Sequence, residues 1–175
     1  MVVTRELKLE VTTDMIRVLR DRTNAGIMDC KRALELSDGD LKKAEMELLA
    51  KGMAKASSKS DRTTGEGVIG SYVHAGGRVG ALVELNCETD FVARTKEFTE
   101  LAHNIAMQIA AMSPVYLDVD QMAEDDKRPP EDACLLRQAF IKDPSKTVND
   151  LVVELRSQVG ENIQVRRMIR FGLGE

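Results

Sequence analysis

The sequence predicts an α+β protein: an N-terminal three-helix bundle, then a core domain in which a three-stranded antiparallel sheet is packed by helices. Three observations carry that expectation. Residues 12–52 hold three short apolar stripes at helical spacing, separated by turn-forming residues. From residue 67 the apolar period changes to two around a glycine-rich turn, the pattern of a β-hairpin. Two longer amphipathic stretches and a closing alternation follow, and strands grouped with covering helices argue for α+β rather than α/β.

Residues 1–11 read as an N-terminal tail or an added strand. Thr12 or Thr13 can cap a first helix carrying Met15, Ile16 and Leu19 on one face, which Asn24-Ala25-Gly26 breaks. Ile27, Cys30, Ala33 and Leu34 form a second stripe, ended by the turn residues Ser37-Asp38-Gly39-Asp40. Leu41, Ala44 and Leu48 mark a third helix, expected to stop near Lys51-Gly52. The bundle so defined spans residues 12–55, with a thin core. Ser57 to Gly65 are small and polar, so residues 56–66 are expected to be a linker and residues 67–175 the core domain. Gly67 to His74 and Val79 to Cys87 flank Ala75-Gly76-Gly77-Arg78, and Val79, Ala81, Val83, Leu85 and Cys87 share the core face of the second strand. Phe98, Leu101, Ala102, Ile105, Ile109 and Met112 follow the helical period up to Ser113-Pro114. Residues 114–146 hold all four prolines and are expected to be irregular, with a short helix around Ala133 to Phe140; Pro129-Pro130 cannot sit inside a regular helix. Val148, Leu151, Val152, Leu155 and Val159 define a further helix, ended by Gly160. Ile163, Val165, Arg167, Ile169 and Phe171 alternate as a third strand.

At 175 residues, 43% hydrophobic and 31% charged, the chain is long enough for one ordinary domain and a small appendage, and it is globular rather than disordered in composition. No apolar run approaches the roughly 20 residues of a membrane helix, and the N-terminus has no apolar h-region. Cys30, Cys87 and Cys134, odd in number and widely spaced, fit free thiols in a reducing, cytoplasmic setting. No CxxC or HxxxH pair suggests a metal, and no cofactor is expected. With net charge −4 and Arg166, Arg167 and Arg170 accompanied only by Phe171, direct nucleic-acid binding is not expected; function runs through a protein partner.

Gly65-Glu66-Gly67 and Gly76-Gly77 lack the Lys-Ser/Thr of a phosphate-binding loop. His74 and His103 read as surface or edge histidines. The segment Asn86 to Arg94 stands apart because it joins the hairpin to the long helix. In one reading Thr89 caps a helix, Asp90 favours its positive end and Phe91 packs into the core. In the other, a rigid strand-to-helix turn presents an acidic–aromatic point to a partner. An enzyme using Cys87 or Cys134 as nucleophile has no recognisable basic partner.

Four blocks of the chain bear on the choice. Thr89-Asp90-Phe91-Val92-Ala93, preceded by Asn86-Cys87, resembles the TDFVA motif of the elongation factor Ts family. The stretch from Leu19 to Lys31 resembles that family's opening helices, with Asn24 where a glycine is usual. Ser71-Tyr72-Val73-His74 with Gly77-Arg78-Val79-Gly80 is similar to its hairpin, and Gly160 to Arg167 to its C-terminal strand. The resemblance implies a ubiquitin-associated-like N-terminal bundle and a sheet-based core. It implies guanine-nucleotide exchange on elongation factor Tu, GDP-bound and nucleotide-free. Thr89, Asp90, Phe91 and Val92 would disturb the partner's Mg2+ site, and Leu19, Ile27 and Met28 would pack on its nucleotide domain. The chain lacks the coiled-coil insertion and second core subdomain of longer members. It is closest to the short form, abridged over residues 115–140, and a homodimer through the core sheet is implied. The alternative is a ubiquitin-associated-like binding module without exchange activity.

Overall fold

The computed structural model describes residues 11–23, 25–57 and 62–175, with side chains 53–57 excepted. The expected tail up to residue 10, Asn24 of the first break, and residues 58–61 of the expected linker lie outside the described residues. The chain divides into two compact units, Met1–Lys55 and Ala56–Glu175.

The first unit is built from α1 (Thr13–Thr23), α2 (Ile27–Leu36) and α3 (Leu41–Ser57). Thr12 Oγ1 accepts the N–H of Met15 at 3.3 Å, so Thr12 is the capping threonine. Between α2 and α3 the chain reverses through Asp38 and Gly39, both at positive φ, and the Gly39 N–H returns to the Leu34 carbonyl. Asp40 then caps α3 by accepting the N–H groups of Lys42 and Lys43 at 2.9 and 3.1 Å. Leu19, Cys30, Ala33, Leu34, Ala44 and Leu48 form the core, with Met15, Ile16 and Leu41 packed against it. Two expectations are corrected. Ile27 leaves the second stripe and faces solvent. The third helix runs through Gly52 to Ser57, because one glycine in a helix costs only about 1 kcal/mol and no turn residue follows it to stop the chain.

The second unit opens with the hairpin of β1 (Glu66–Val73) and β2 (Val79–Cys87). Its turn is closed by Gly77 N–H to His74 C=O at 2.9 Å, with Gly76 and Gly77 at φ 91° and 67°, where a side chain would be strained. A short helix α4 (Asp90–Ala93) and the long α5 (Lys96–Met112) follow, then α6 (Pro130–Ala133), β3 (Ala139–Phe140), β4 (Asp143–Thr147), α7 (Val148–Val159) and β5 (Ile163–Gly172). The main sheet is antiparallel in the order β1-β2-β5. α5 lies on one face of it, so Ala81, Val83, Leu85 and Cys87 meet Phe98, Leu101, Ala102, Ile105 and Ile109 in a core that Val148, Val152 and Leu155 of α7 complete. Met112, expected on that stripe, is exposed at the helix end, where Ser113 turns the chain at φ 51°. Thr147 and Asp150 form a capping box at the start of α7, and Gly160 ends it in the left-handed conformation.

The middle of the chain is more ordered than expected. Pro129 and Pro130 do not interrupt a helix; they begin one, at the N-cap and first position of α6, where a missing N–H costs nothing. No helix continues to Phe140. A single 3-10 turn (Leu135–Arg137) leads into the β3–β4 ladder. Two buried amides organise this backbone. Gln108 donates to Gln138 Oε1 and to the Ala139 carbonyl, both at 3.1 Å, and accepts the Ile141 N–H at 2.9 Å. Gln138 donates to the Asp132 carbonyl at 2.9 Å, so the irregular stretch has its buried polar groups paired.

The third strand forms, but its phase is corrected. Glu84 pairs with Arg167 and Leu85 with Val165, leaving Arg166 as a bulge. One extra residue reverses the alternation beyond it. Ile163 and Val165 face the core, followed by Met168 and Arg170; Arg167, Ile169 and Phe171 turn to the opposite face. Arg166 and Arg167 both approach Glu84, at 3.8 and 2.6 Å. The outer face of the sheet therefore carries Ile69, Leu82, Ile169 and Phe171, all exposed. Among the described residues no helix is long and apolar enough to cross a membrane.

Candidate functional site

The distinctive geometry lies where β2 gives way to α4. The β2–β5 ladder ends at Cys87 opposite Ile163. Two residues later the backbone turns into α4, with Thr89 at its N-cap in an extended conformation. α4 lasts four residues and stops because Thr95 starts the next helix: its hydroxyl accepts the Phe98 N–H at 3.3 Å and donates to the Val92 carbonyl at 2.8 Å. The result is a corner between two helices rather than a flexible loop.

Within that corner the side chains divide sharply. Ala93 is buried, and Val92 packs against the core. Phe91 points away and is 80% exposed, the most exposed large apolar side chain among the described residues. The reading in which Phe91 packs into the core is thereby overturned. Asp90 is half-buried beside it, held by Arg94 at 2.9 Å across one helical turn. An aromatic ring with a carboxylate at its side is thus offered on a short, braced helix. The side-chain cap expected at Thr89 is also corrected. Its hydroxyl accepts no N–H from its own helix and instead donates to Glu161 Oε1 at 2.6 Å.

Glu161, Glu88 and Asn162 fall within blocks that the sequence picks out, but the contact that joins them is not anticipated there. Glu161 Oε2 accepts the N–H groups of Glu88 and Thr89 at 3.2 and 3.0 Å. Glu88 Oε1 in turn accepts the Asn162 N–H at 2.6 Å. The signals in the sequence are a glutamate placed directly after a helix-ending glycine and its place in the block resembling the C-terminal strand, and neither says anything about a partner more than 70 positions away.

Cys87 sits under this corner. Its thiol donates to the Thr89 carbonyl at 3.1 Å, and burial, helped by the Glu161 charge, pushes its pKa up to about 11. Burial raises Cys134 as well. Both thiols are therefore protonated near neutral pH, the opposite of an activated nucleophile. His74 lies 3.0 Å from the Tyr72 hydroxyl, a local contact in the hairpin, and His103, on α5, lies 3.1 Å from the Ser71 carbonyl of β1, both at exposed positions. No group of histidine, cysteine and carboxylate side chains is arranged to hold a metal among the described residues.

The three candidates of the first unit separate into two kinds. Ile27 and Met28, in the first turn of α2, are 54% and 67% exposed. Leu19 is 0% exposed, at the centre of the bundle core.

Comparison with known proteins gives these features a family. The profile described as Elongation factor TS matches residues 56–128. The elongation factor Ts of Syntrophomonas wolfei is 45% identical over 195 positions, covering 94% of this chain and 91% of that protein. That of Methylacidiphilum infernorum is 47% identical, covering 94% and 96%, and that of Thermotoga maritima 46%, covering 95% and 98%. The aligned span of 195 positions exceeds the 175 residues of the chain, so these relatives carry residues with no counterpart here. With nearly its whole length aligned to such relatives at close to half identity, the chain belongs to the elongation factor Ts family of translation elongation factors.

Proposed function

We propose that the chain is a guanine-nucleotide exchange factor that binds elongation factor Tu–GDP and speeds GDP release by disturbing the partner's Mg2+ site. The observation that carries this reading is the exposed Phe91, set beside Asp90 on a braced corner. An apolar ring left in water on a rigid element costs little entropy when it binds, and such anchors dominate many interfaces. Magnesium and a phosphate-binding loop hold the charges of a bound nucleotide. Asp90 and Phe91 act on that hold, while Thr89 and Val92 fix the corner from which they act. Ile27 and Met28 supply a separate contact to the partner's nucleotide domain. Leu19, being buried, serves that contact by holding α1 rather than by touching the partner.

Coupling between nucleotide and factor is reciprocal: if the factor weakens GDP, GDP weakens the factor, and a new nucleotide can expel it. Release faster by roughly 10,000-fold corresponds to about 5.5 kcal/mol off the barrier, a scale that a few desolvated anchors can supply. No covalent step is needed. In this reading a cytoplasmic factor uses a ubiquitin-associated-like bundle over residues 12–55, a linker over 56–66 and a core over 67–175, with 1–11 as a tail. A second copy of the chain covers the outer sheet face.

The test is release of fluorescent GDP from elongation factor Tu. Catalytic amounts of the chain should accelerate it, and Phe91→Ala should remove most of the acceleration while leaving the melting temperature nearly unchanged. Full activity in Phe91→Ala would sink the assigned role of the corner. Binding without acceleration by the unaltered chain would favour a binding module instead.

A further inference from the structure

The corner that carries Asp90 and Phe91 is anchored by the far end of the chain. Beyond the last backbone pair of the β2–β5 ladder, two carboxylates extend the pairing. Glu161 receives three donors: the N–H groups of Glu88 and Thr89 at 3.2 and 3.0 Å, and the Thr89 hydroxyl at 2.6 Å. Glu88 answers by accepting the Asn162 N–H at 2.6 Å, with the Arg62 guanidinium 3.5 Å away. Asn162 Nδ2 donates to the Arg62 carbonyl at 2.8 Å. Each strand end is thus held by a side chain from the other. Hydrogen bonds to a carboxylate are roughly twice as strong as neutral ones. All three of those on Glu161 land on the two residues that immediately precede Asp90.

We infer that Glu161 is a positioning residue for nucleotide exchange: from the junction of α7 and β5 it fixes the direction in which Thr89 launches α4, and hence where Phe91 and Asp90 meet the partner. It acts on nucleotide and metal only indirectly, through Glu88 and Thr89. The inference rests on the function proposed above. The apolar core is packed without Glu161, so losing it loosens the corner more than the domain. A displacement of about 1 Å at a reacting site can cost on the order of 100-fold in rate, whereas the separate α2 contact that contributes to affinity is left as it was.

The experiment uses the full chain and elongation factor Tu loaded with fluorescent GDP, with kcat and KM for exchange measured alongside thermal unfolding and amide hydrogen exchange. Glu161→Ala should lower kcat by about tenfold or more, leave KM within about twofold, and speed amide exchange at Glu88 and Thr89. Glu161→Gln should restore most of the rate: its amide oxygen can accept both N–H groups and its NH2 can donate to the Thr89 hydroxyl. A folded Glu161→Ala protein with unchanged kcat overturns the inference, as does a loss that only tracks the unfolded fraction. Should Glu161→Ala not fold, Thr89→Val against Thr89→Ser decides: a severalfold fall in kcat that serine restores supports it, and equal rates overturn it. Full activity in Phe91→Ala refutes the parent reading. An inactive Phe91→Ala beside a fully active Glu161→Ala refutes this inference alone.

Discussion

Phe91 and Phe98 lie seven positions apart and meet opposite fates. Phe98 sits three residues past the Thr95 cap, on the inward face of a 17-residue helix, and is fully buried. Phe91 belongs to a helix of four residues, too short to have a periodic face. The long helix was legible because its spacing repeats; the exposure of Phe91 was not, because nothing local decides it. Cys87 illustrates how burial sets chemistry at the same scale. Its thiol is raised from 9.0 to about 11, burial first and the Glu161 charge second. A group whose folded pKa lies above its unfolded value contributes stability that is fully present below the unfolded pKa and is lost as pH rises through the folded one. Denaturant unfolding across pH should therefore show a loss of stability between pH 9 and about 11 that Cys87→Ala lacks, and native Cys87 should react slowly with thiol reagents at pH 8.

At the scale of elements, one tight constraint lies where α5 crosses β1. A Cβ on Gly70 would sit 2.7 Å from the Ala102 carbonyl oxygen and 2.8 Å from the Ala102 Cβ. Because the new Cβ would meet the helix backbone itself and not the far end of a flexible side chain, the helix or the strand has to move. Gly70→Ala should cost about 1–3 kcal/mol, seen as a fall in melting temperature of about 2–4 °C per kcal/mol for a chain of this length. Gly80 is the control. Its Cβ would lie 3.4 Å from the nearest atom, the Tyr72 carbonyl oxygen, an ordinary contact. Gly80→Ala should change stability by about 0.5 kcal/mol or less. The helices α1, α2, α3, α5 and α7, the hairpin and the closing strand were readable from spacing and turn residues. The bulge at Arg166 was not, since a bulge keeps the composition of a strand and changes only its pairing. The β3–β4 ladder was hidden for a related reason: Asp143 to Thr147 has no apolar alternation, and the buried amides of Gln108 and Gln138 hold the segment in place.

For the molecule as a whole, the bulge has a consequence. By moving Ile169 and Phe171 to the outer face, it places them beside Leu82 and Gly80 of β2 and creates an apolar sheet surface. The proposed second copy would cover that surface. Sedimentation should then find a dimer that the double substitution Ile169→Glu and Phe171→Glu converts to monomer with its secondary structure intact. A wild-type chain that sediments as a monomer at micromolar concentration would refute that arrangement.

The sequence by itself determined the fold class, the order of the main helices and of the three strands of the sheet, the ends of most of them, and the distinctive block of residues around Thr89. These are properties of neighbours along the chain: a period of 3.6 or 2, a cap, a glycine at positive φ. Tertiary structure alone decided that Phe91 faces solvent, that β5 changes phase at Arg166, and that the Thr89 hydroxyl turns to Glu161 instead of capping its own helix. Each of those outcomes depends on a segment that returns from far along the chain. Burial and hydrogen bonding are settled by what stands opposite a residue in space, and that is fixed only once β5 has closed against β2.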